Sequence, residues 1–533
     1  MSNEPTPEQQ AAIDCPGNVV ITARPGSGKT FTLVHMIARE SYKLLSYQGV
    51  IAISYTNKAS DELKGRCDQL GIARGRSFFG TIDKFCLGEI VAPFMSHLEH
   101  HADELNLIED GGCPEWSSLR GRAVEDTELR TFLMDSLKSG ALPVGALGPA
   151  ALLMLDVVPQ TKLYISSRYT SIFIDEYQDC GIYQHLLMKR LVSYGLRGVA
   201  VGDVDQAIFR FADKSPDHLI ELMRSDDYSH FQLTENRRCA KAIQAYSLAL
   251  LSIQSDPIAP KDRRVFAVHM RGDESSLACG IRTYLHPIME KYGVRSANQV
   301  ALIGFSNRTL DFYSNSIGVP NKRYCATPLD NRLSRWARLF SDLLSSYYDP
   351  MRFSGAFIDA HLGTDARPSQ RRRGLELLDE FFNLPESEIR ENVGLAVSIA
   401  RLCESKAERE GDVETYRKTV EDAELLAGGF RPARPEEINI LTYHKAKGLE
   451  FEIVFCLETY QYVMPPYKHE EKPFDAYGQF LAMHYVGITR AKKVCYILLG
   501  SDRHNGKGCL KMASPSEFLS MPGLSSLRKD VHW

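Results

Sequence analysis

The segment ARPGSGKT, residues 23–30, constrains this chain more than any other stretch. It follows the apolar run VVITA (Val19 to Ala23) and leads into TFTLVHMIARE, which has helical spacing. Strand, glycine turn and helix together aim backbone N–H groups and a helix N-terminus at a phosphate. Gly26, Ser27 and Gly28 let the backbone curl. Lys29 can reach the β- and γ-phosphates of a bound ATP, and Thr30 offers a hydroxyl to Mg²⁺. The generic pattern has Gly where Ala23 stands, so its first position is broken. A chance Gly/Lys turn matches such a loosened pattern in roughly a few per cent of chains this long.

A second feature decides between those readings. SIFIDEYQD puts Asp175 and Glu176 at the end of another apolar run. A strand-terminal Asp can hold Mg²⁺, and the adjacent Glu can orient and deprotonate an attacking water. An acidic surface turn is common, but its co-occurrence with ARPGSGKT makes that reading improbable.

Short apolar runs alternate with helical stretches: GVIAISYT, then KASDELKGR, then SIFID and GVAVGD, the last two ending in an acid. This predicts an α/β fold with parallel sheets and functional loops at the strand C-terminal ends. The expected division is a first core lobe over 1–90 and 165–240, interrupted by a helical insertion over 91–164. A second lobe over 241–329 and 430–533 is interrupted by a helical insertion over 330–429. The run Arg371 to Arg373 reads as a solvated loop rather than a DNA site.

Composition narrows the rest. The 533 residues are 44% hydrophobic with no apolar run long enough for a membrane span. The N-terminus MSNEPTPEQQ lacks an apolar signal core. A cytoplasmic address without membrane contact is expected. The 12 cysteines show no CxxC spacing, so they read as thiols rather than metal ligands. A net charge of −4 means that any nucleic-acid surface is a local groove, not a general basic coat.

In order, the segments TPEQQAAI, ARPGSGKT, YTNKASDEL, GTIDKF, IDEYQD, VGDVDQAIFRF, LTENRRC, TYHKAKGLEF and YVGITRAKK resemble the motifs of UvrD/Rep/PcrA-type superfamily 1 DNA helicases. That family's phosphate loop also carries Ala at the Ala23 position. The resemblance implies two RecA-like parallel-sheet lobes of the P-loop NTPase class, with ATP between them. It implies an ATP-dependent DNA helicase that translocates 3′→5′ and is stimulated by single-stranded or tailed DNA. Gln9 would read adenine, and Gln206 would sense the γ-phosphate. Arg238 and Arg490 would reach that phosphate as arginine fingers from the second lobe. Gly448 and Glu450 would join the nucleotide contacts, Glu450 at the ribose.

The same resemblance gives DNA candidates. Phe211 matches a position that stacks on a base; without the family, Phe209 and Phe211 read as aromatics packing one strand face. Tyr55 and Phe85 are further stacking candidates. Thr56, Asn57, Thr81 and His444 offer phosphate contacts. Departures stand beside these. Arg237 occupies a position where relatives carry an aromatic, and Phe31 one where they often carry Arg. A swapped base sandwich is therefore expected, with Phe31 and Arg237 exchanging roles. Asp83 replaces a His near DNA, so it either faces away or alters that contact. The acidic pair that often precedes the last motif is replaced by QFLAMHYVGITRA.

GTIDKFCLGEI and the compact insertions resemble the helicase-like subunit of Gabija antiphage systems. This implies an OLD-type, GajA-like nuclease partner and a partner-dependent motor, as does the early end of the chain after Arg490. A competing expectation is a DNA-end-sensing ATPase subunit that licenses a nuclease and unwinds little. A degenerate binding module is disfavoured, because Lys29, Asp175, Glu176, Gln206, Arg238 and Arg490 are all present.

Overall fold

The computed structural model describes the chain except residues 1–3, 55–56, 73–75, 103–104, 109, 207, 209–214, 254, 256–257, 333, 350–351, 363–365, 406–409 and 467–473, and except the side chains of 57–58, 61, 331, 356, 359–360 and 474–476. Two compact units result, one from residues 1–271 with 446–533, the other from 272–445.

The first unit contains a six-stranded parallel sheet. Its order across the sheet is Phe78–Gly80, Gly49–Ile53, Tyr169–Ile174, Arg197–Gly202, Val19–Ala23 and Ser229–Leu233. The strands are apolar on both faces because both are covered. Val20, Ile51, Ile53, Ile172, Ile174 and Ala200 point into one core; Val19, Ile21, Val50, Ala52, Phe173, Val199 and Val201 point into the other.

The first of these cores is completed by the helical stretch predicted as an insertion. Its central helix Leu147–Val157 is buried at every residue from Leu147 to Leu155, which is why GPAALLML carries no polar face. The helix Thr127–Ser139 beside it starts on an Asp126 side chain that accepts from the Leu129 N–H at 2.9 Å. It stops at Gly140, whose φ of 74° suits a left-handed cap.

The same unit holds four parallel strands in the order Phe451–Cys456, Ala491–Gly500, Val265–Met270 and Arg528–His532. The last of these, RKDVH, is too polar to announce itself as a strand; pairing with Val265–Met270 places it. Buried Cys456 and Cys495 stand with their Sγ atoms 3.7 Å apart as free thiols.

The second unit carries three parallel strands, Asn321–Arg323, Ile438–Thr442 and Val300–Gly304 in that order. The described residues between 335 and 430 are mostly helical, around a core that includes Trp336, Phe340, Phe381 and Tyr416. Arg371 to Arg373 lie on the helix Pro368–Phe382, not in a loop; Arg372 and Arg373 are exposed, as expected of a solvated run. The misreading arose because three consecutive arginines hide the helical period that Leu377, Leu378 and Phe381 carry. Among the described residues no single helix is long and apolar enough to cross a membrane.

Candidate nucleotide site

Four strands of the six-stranded sheet deliver the site at their C-terminal ends. Val19–Ala23 runs into the phosphate loop. Gly26 (φ 76°) and Gly28 (φ 83°) adopt the left-handed backbone that curls it, and Gly28 caps the helix Lys29–Ser41. Thr30 is the second residue of that helix. The Ser27 hydroxyl donates to Arg24 O at 2.7 Å and closes the turn.

Neighbours pack tightly on this loop. Thr6 and Gln9 form a capping box at the start of Pro7–Asp14, with the Thr6 N–H donating to Gln9 Oε1 at 2.8 Å. Gln9 Nε2 then donates to Ser27 O at 2.9 Å. Both ends of this buried amide are thus engaged. A Cβ on Gly28 would lie 2.4 Å from Gln9 Nε2. One on Gly26 would lie 2.5 Å from Arg238 Cβ and 2.6 Å from Asn236 Oδ1. Ala23 is the last residue of the strand and is buried.

The acids come from two adjacent strands. Tyr169–Ile174 ends at buried Asp175, whose N–H donates to Ile53 O at 2.9 Å. Glu176 follows at φ 54°, a strained conformation for a non-glycine residue, secured by its N–H donating to Asp175 Oδ1 at 2.9 Å. Arg197–Gly202 ends at buried Asp203. Lys29 Nζ reaches Glu176 Oε1 at 3.3 Å. On the other side of Glu176, Lys447 Nζ lies 3.9 Å from Oε2, pairs closely with Asp179 and donates to Gln206 O at 3.0 Å.

This cluster polarises its members. Burial and the adjacent Glu176 charge push the Asp175 carboxyl above its ordinary range. Burial would do the same to Glu176, but Lys29 and Lys447 overcome it and hold Glu176 below the usual range. Burial disfavours the Lys29 ammonium, yet Glu176, Asp203 and Asp175 keep its pKa raised.

Gln206 Nε2 donates to Asp203 Oδ2 at 2.6 Å, and its Oε1 accepts from Arg490 Nη2 at 3.2 Å. Arg490 is 2% exposed and donates besides to Val486 O, Leu449 O and Thr489 Oγ1. Gly448, at φ 85°, makes the turn that leads to Leu449. Burial and the Arg238 charge lower the Arg490 guanidinium pKa to about 10.

Arg238 departs from expectation. It follows Ser229–Leu233, the strand paired with the phosphate-loop strand, so it approaches from the same sheet as the loop and not from a second lobe. The Arg237 N–H donates to Gly26 O at 2.9 Å, which fixes this approach. Arg238 Nε pairs with Glu450 Oε2 at 2.6 Å, and Lys492 Nζ holds Glu450 Oε1 at 3.0 Å.

Phe31 packs its ring against His35 with centroids 4.2 Å apart. The Arg237 guanidinium is held by Glu235 Oε1 at 3.0 Å and Glu4 O at 3.4 Å. Thr81 caps the helix Ile82–Phe85. Phe85 is 0% exposed and packs against Phe78 and Tyr169, so it is a core residue and not a stacking platform. Asp83 lines a cavity of about 70 Å³ together with Thr81, Asp175 and Glu176, which puts it on the side of the acids. His444 belongs to the second unit, on Tyr443–Ala446. Tyr55, Thr56, Phe211 and the side chain of Asn57 lie outside the described residues. Sequence reasoning passed over Asp203, Gln178, Lys447 and Lys492. All four sit inside quoted motifs; Gln178, two residues after Glu176 in IDEYQD, accepts at Oε1 from the Asp203 N–H at 2.9 Å.

Comparison with known proteins covers this site. Residues 9–212 match a family model described as an AAA domain, and residues 357–501 match the UvrD-like helicase C-terminal domain. The Gabija protein GajB of Bacillus cereus (strain VD045) is 25% identical over 92% of this chain and 94% of its own length. The ATP-dependent DNA helicase PcrA of Bacillus subtilis (strain 168) is 22% identical over 92% of the chain and 82% of its own length. A probable DNA helicase II homolog of Rickettsia felis is 21% identical over 93% and 92%. Phosphate loop and acidic pair fall inside the first matched domain, Glu450 and Arg490 inside the second, and the chain belongs to the UvrD/PcrA-type helicase-like proteins.

Proposed function

We propose that this chain is a DNA-stimulated ATPase that moves 3′→5′ along single strands in the cytoplasm and works with an OLD-type, GajA-like nuclease in antiphage defence. The observation that carries the motor part is the hydrogen-bonded run Arg490–Gln206–Asp203, which ends beside Lys29. It gives a route by which nucleotide state reaches the segment that follows VGDVDQ. Similarity to GajB along nearly its whole length supports the defence part.

The residues divide the chemistry of phosphoryl transfer, which rests on positioning and charge. Gly26, Ser27 and Gly28 present backbone N–H groups to phosphate. Lys29 exchanges its contact with Glu176 for the terminal phosphates. Glu176, then held by Lys447, takes the proton of the attacking water. Asp175 and the Thr30 hydroxyl are the donors that fit Mg²⁺: a buried carboxylate beside a helix N-terminus, with Asp203 as a second acid nearby. Mg²⁺ there supplies charge neutralisation on the phosphates. Arg490 and Arg238 stabilise the charge that develops as the bond breaks. Phe31 and Arg237 cover the base, and Gln9 holds the loop that faces it. Phe211, Tyr55, Thr56, Asn57, Thr81 and His444 are the proposed DNA contacts.

A strand-displacement assay on 3′-tailed and 5′-tailed duplexes, with and without the nuclease, tests this reading. Unwinding of the 3′-tailed duplex alone is expected. DNA-stimulated hydrolysis with no displacement in either condition, but with nuclease activation, would favour the end-sensing subunit instead.

A further inference from the structure

Behind the acidic pair stands a cluster of metal-binding side chains that the nucleotide chemistry does not use. Tyr177 directly follows Glu176 and is fully buried. Its hydroxyl lies 2.9 Å from His185 Nδ1. His185, on the helix Ile182–Ser193, is 2% exposed, and its other nitrogen, Nε2, faces Glu221 Oε2 at 3.2 Å without the alignment of a hydrogen bond. His218 and Glu221 lie three residues apart on Asp217–Arg224, so they share one face of that helix. The His218 ring lies against that of His185 with centroids 4.7 Å apart. One ligand atom from each of His185, His218 and Glu221 lies within 4.8 Å of the others.

We propose that His185, His218 and Glu221 form a site for a divalent transition metal of the zinc class. Two imidazoles and one carboxylate suit such an ion, which takes nitrogen and oxygen at about 2.0–2.2 Å. The neutral imidazole is the form that coordinates. The Tyr177 hydroxyl on Nδ1 leaves Nε2 to the metal and orients the ring, as an outer-shell partner does. Lys189 Nζ, 2.7 Å from Glu221 Oε1, holds that carboxylate by its other oxygen. The two rings are nearly parallel, at 17°, so their lone pairs do not converge as they stand. Half-buried His218 turns on its side-chain bonds to meet the ion, while buried His185 stays fixed. Glu221 is exposed, so water completes the coordination. The ion joins the helix that follows IDEYQD to the one that begins at Asp217.

The test uses the full chain, stripped by chelator and titrated with Zn²⁺ against a chromophoric competitor. One site is expected in the wild type, absent in His218→Ala and at least about tenfold weaker in Glu221→Gln. Tyr177→Phe should keep the site at reduced affinity. His218→Ala and Glu221→Gln change no fully buried side chain, so unchanged far-ultraviolet dichroism confirms folding. Substitution by Co²⁺ should give visible bands of nitrogen and oxygen ligation. No Zn²⁺ binding by the wild type, equal binding by His218→Ala, or a thiolate charge-transfer band in place of those bands overturns the proposal.

Discussion

Arg490 Nη2 donates to Gln206 Oε1 at 3.2 Å, and among the described residues the hydrogen bonds of that guanidinium go to neutral oxygens, those of Val486, Leu449, Gln206 and Thr489. Burial disfavours this cation more than the nearby charges favour it, so an arriving anion relieves the cost. Arg490→Lys should therefore leave ATP binding within a few-fold and reduce kcat at least about 100-fold, the size seen when a transition-state donor is lost. Steady-state hydrolysis with single-stranded DNA measures this. A KM effect with kcat unchanged would remove Arg490 from the transition state.

The acidic pair makes a pH prediction. Asp175 must be ionised to hold a cation, and its pKa lies above the ordinary aspartate value of about 3.9. The kcat/KM for ATP should thus fall as pH drops through that raised value, while Glu176, ionised well below it, adds no limb. Lys447→Met removes one cation from Glu176 and raises its pKa, so Glu176 begins to contribute to the acid limb, which steepens and shifts upward. An unmoved limb counts against Lys447. The sign for stability is opposite: a raised carboxyl stabilises the fold when protonated, and this is lost as pH rises through its folded value. Asp175→Asn should therefore raise Tm at neutral pH while abolishing hydrolysis.

How far the sequence disclosed this site depends on how local each signal is. Lys29, Asp175 and Glu176 follow apolar strands within a few residues, so strand pattern and chemistry were readable together. Lys445 and Lys447 were indistinguishable in HKAKG; folding sends Lys445 to Cys325 O and Lys447 to Asp179. His185 and His218 lie on separate helices, and nothing local joins them. The resemblance set Arg238 on the second lobe although the expected division kept 165–240 in the first; the strand that carries it, Ser229–Leu233, SHFQL, has too few apolar residues to announce itself.

Gly28→Ala should cripple nucleotide binding without unfolding the chain. The left-handed backbone at φ 83° costs an alanine roughly 1–2 kcal/mol. The added Cβ would also strike Gln9 Nε2 and break its contact with Ser27. ATP affinity should drop at least about tenfold, about 1.4 kcal/mol. Gly17→Ala, where a Cβ meets nothing within 4 Å, is the control and should bind ATP normally.

Phe85 separates a core role from a DNA role. It sits between Phe78 and Tyr169 with ring centroids 5.2 and 6.0 Å away. Phe85→Ala should cost about 3–5 kcal/mol of stability. Phe85→Leu keeps most of the volume, so it should fold and bind single-stranded DNA as the wild type does. A selective loss of DNA affinity in the folded Leu variant would return Phe85 to the DNA contacts.

The remaining aromatic candidate asks for the reverse outcome. Phe211 follows the segment ended by Gln206, which the Arg490 contact joins to the nucleotide site. Stacking of a base on an aromatic ring is worth about 1–3 kcal/mol. Phe211→Ala should leave hydrolysis without DNA unchanged and raise the DNA concentration for half-maximal stimulation by about 5- to 150-fold, the same energy expressed as a ratio. Because Phe209 lies two residues away, at strand period, the alanine variant at Phe209 is the comparison that matters. If Phe209→Ala weakens stimulation and Phe211→Ala does not, the base stacks on the other ring; if neither does, the pair packs the protein and the grip lies elsewhere.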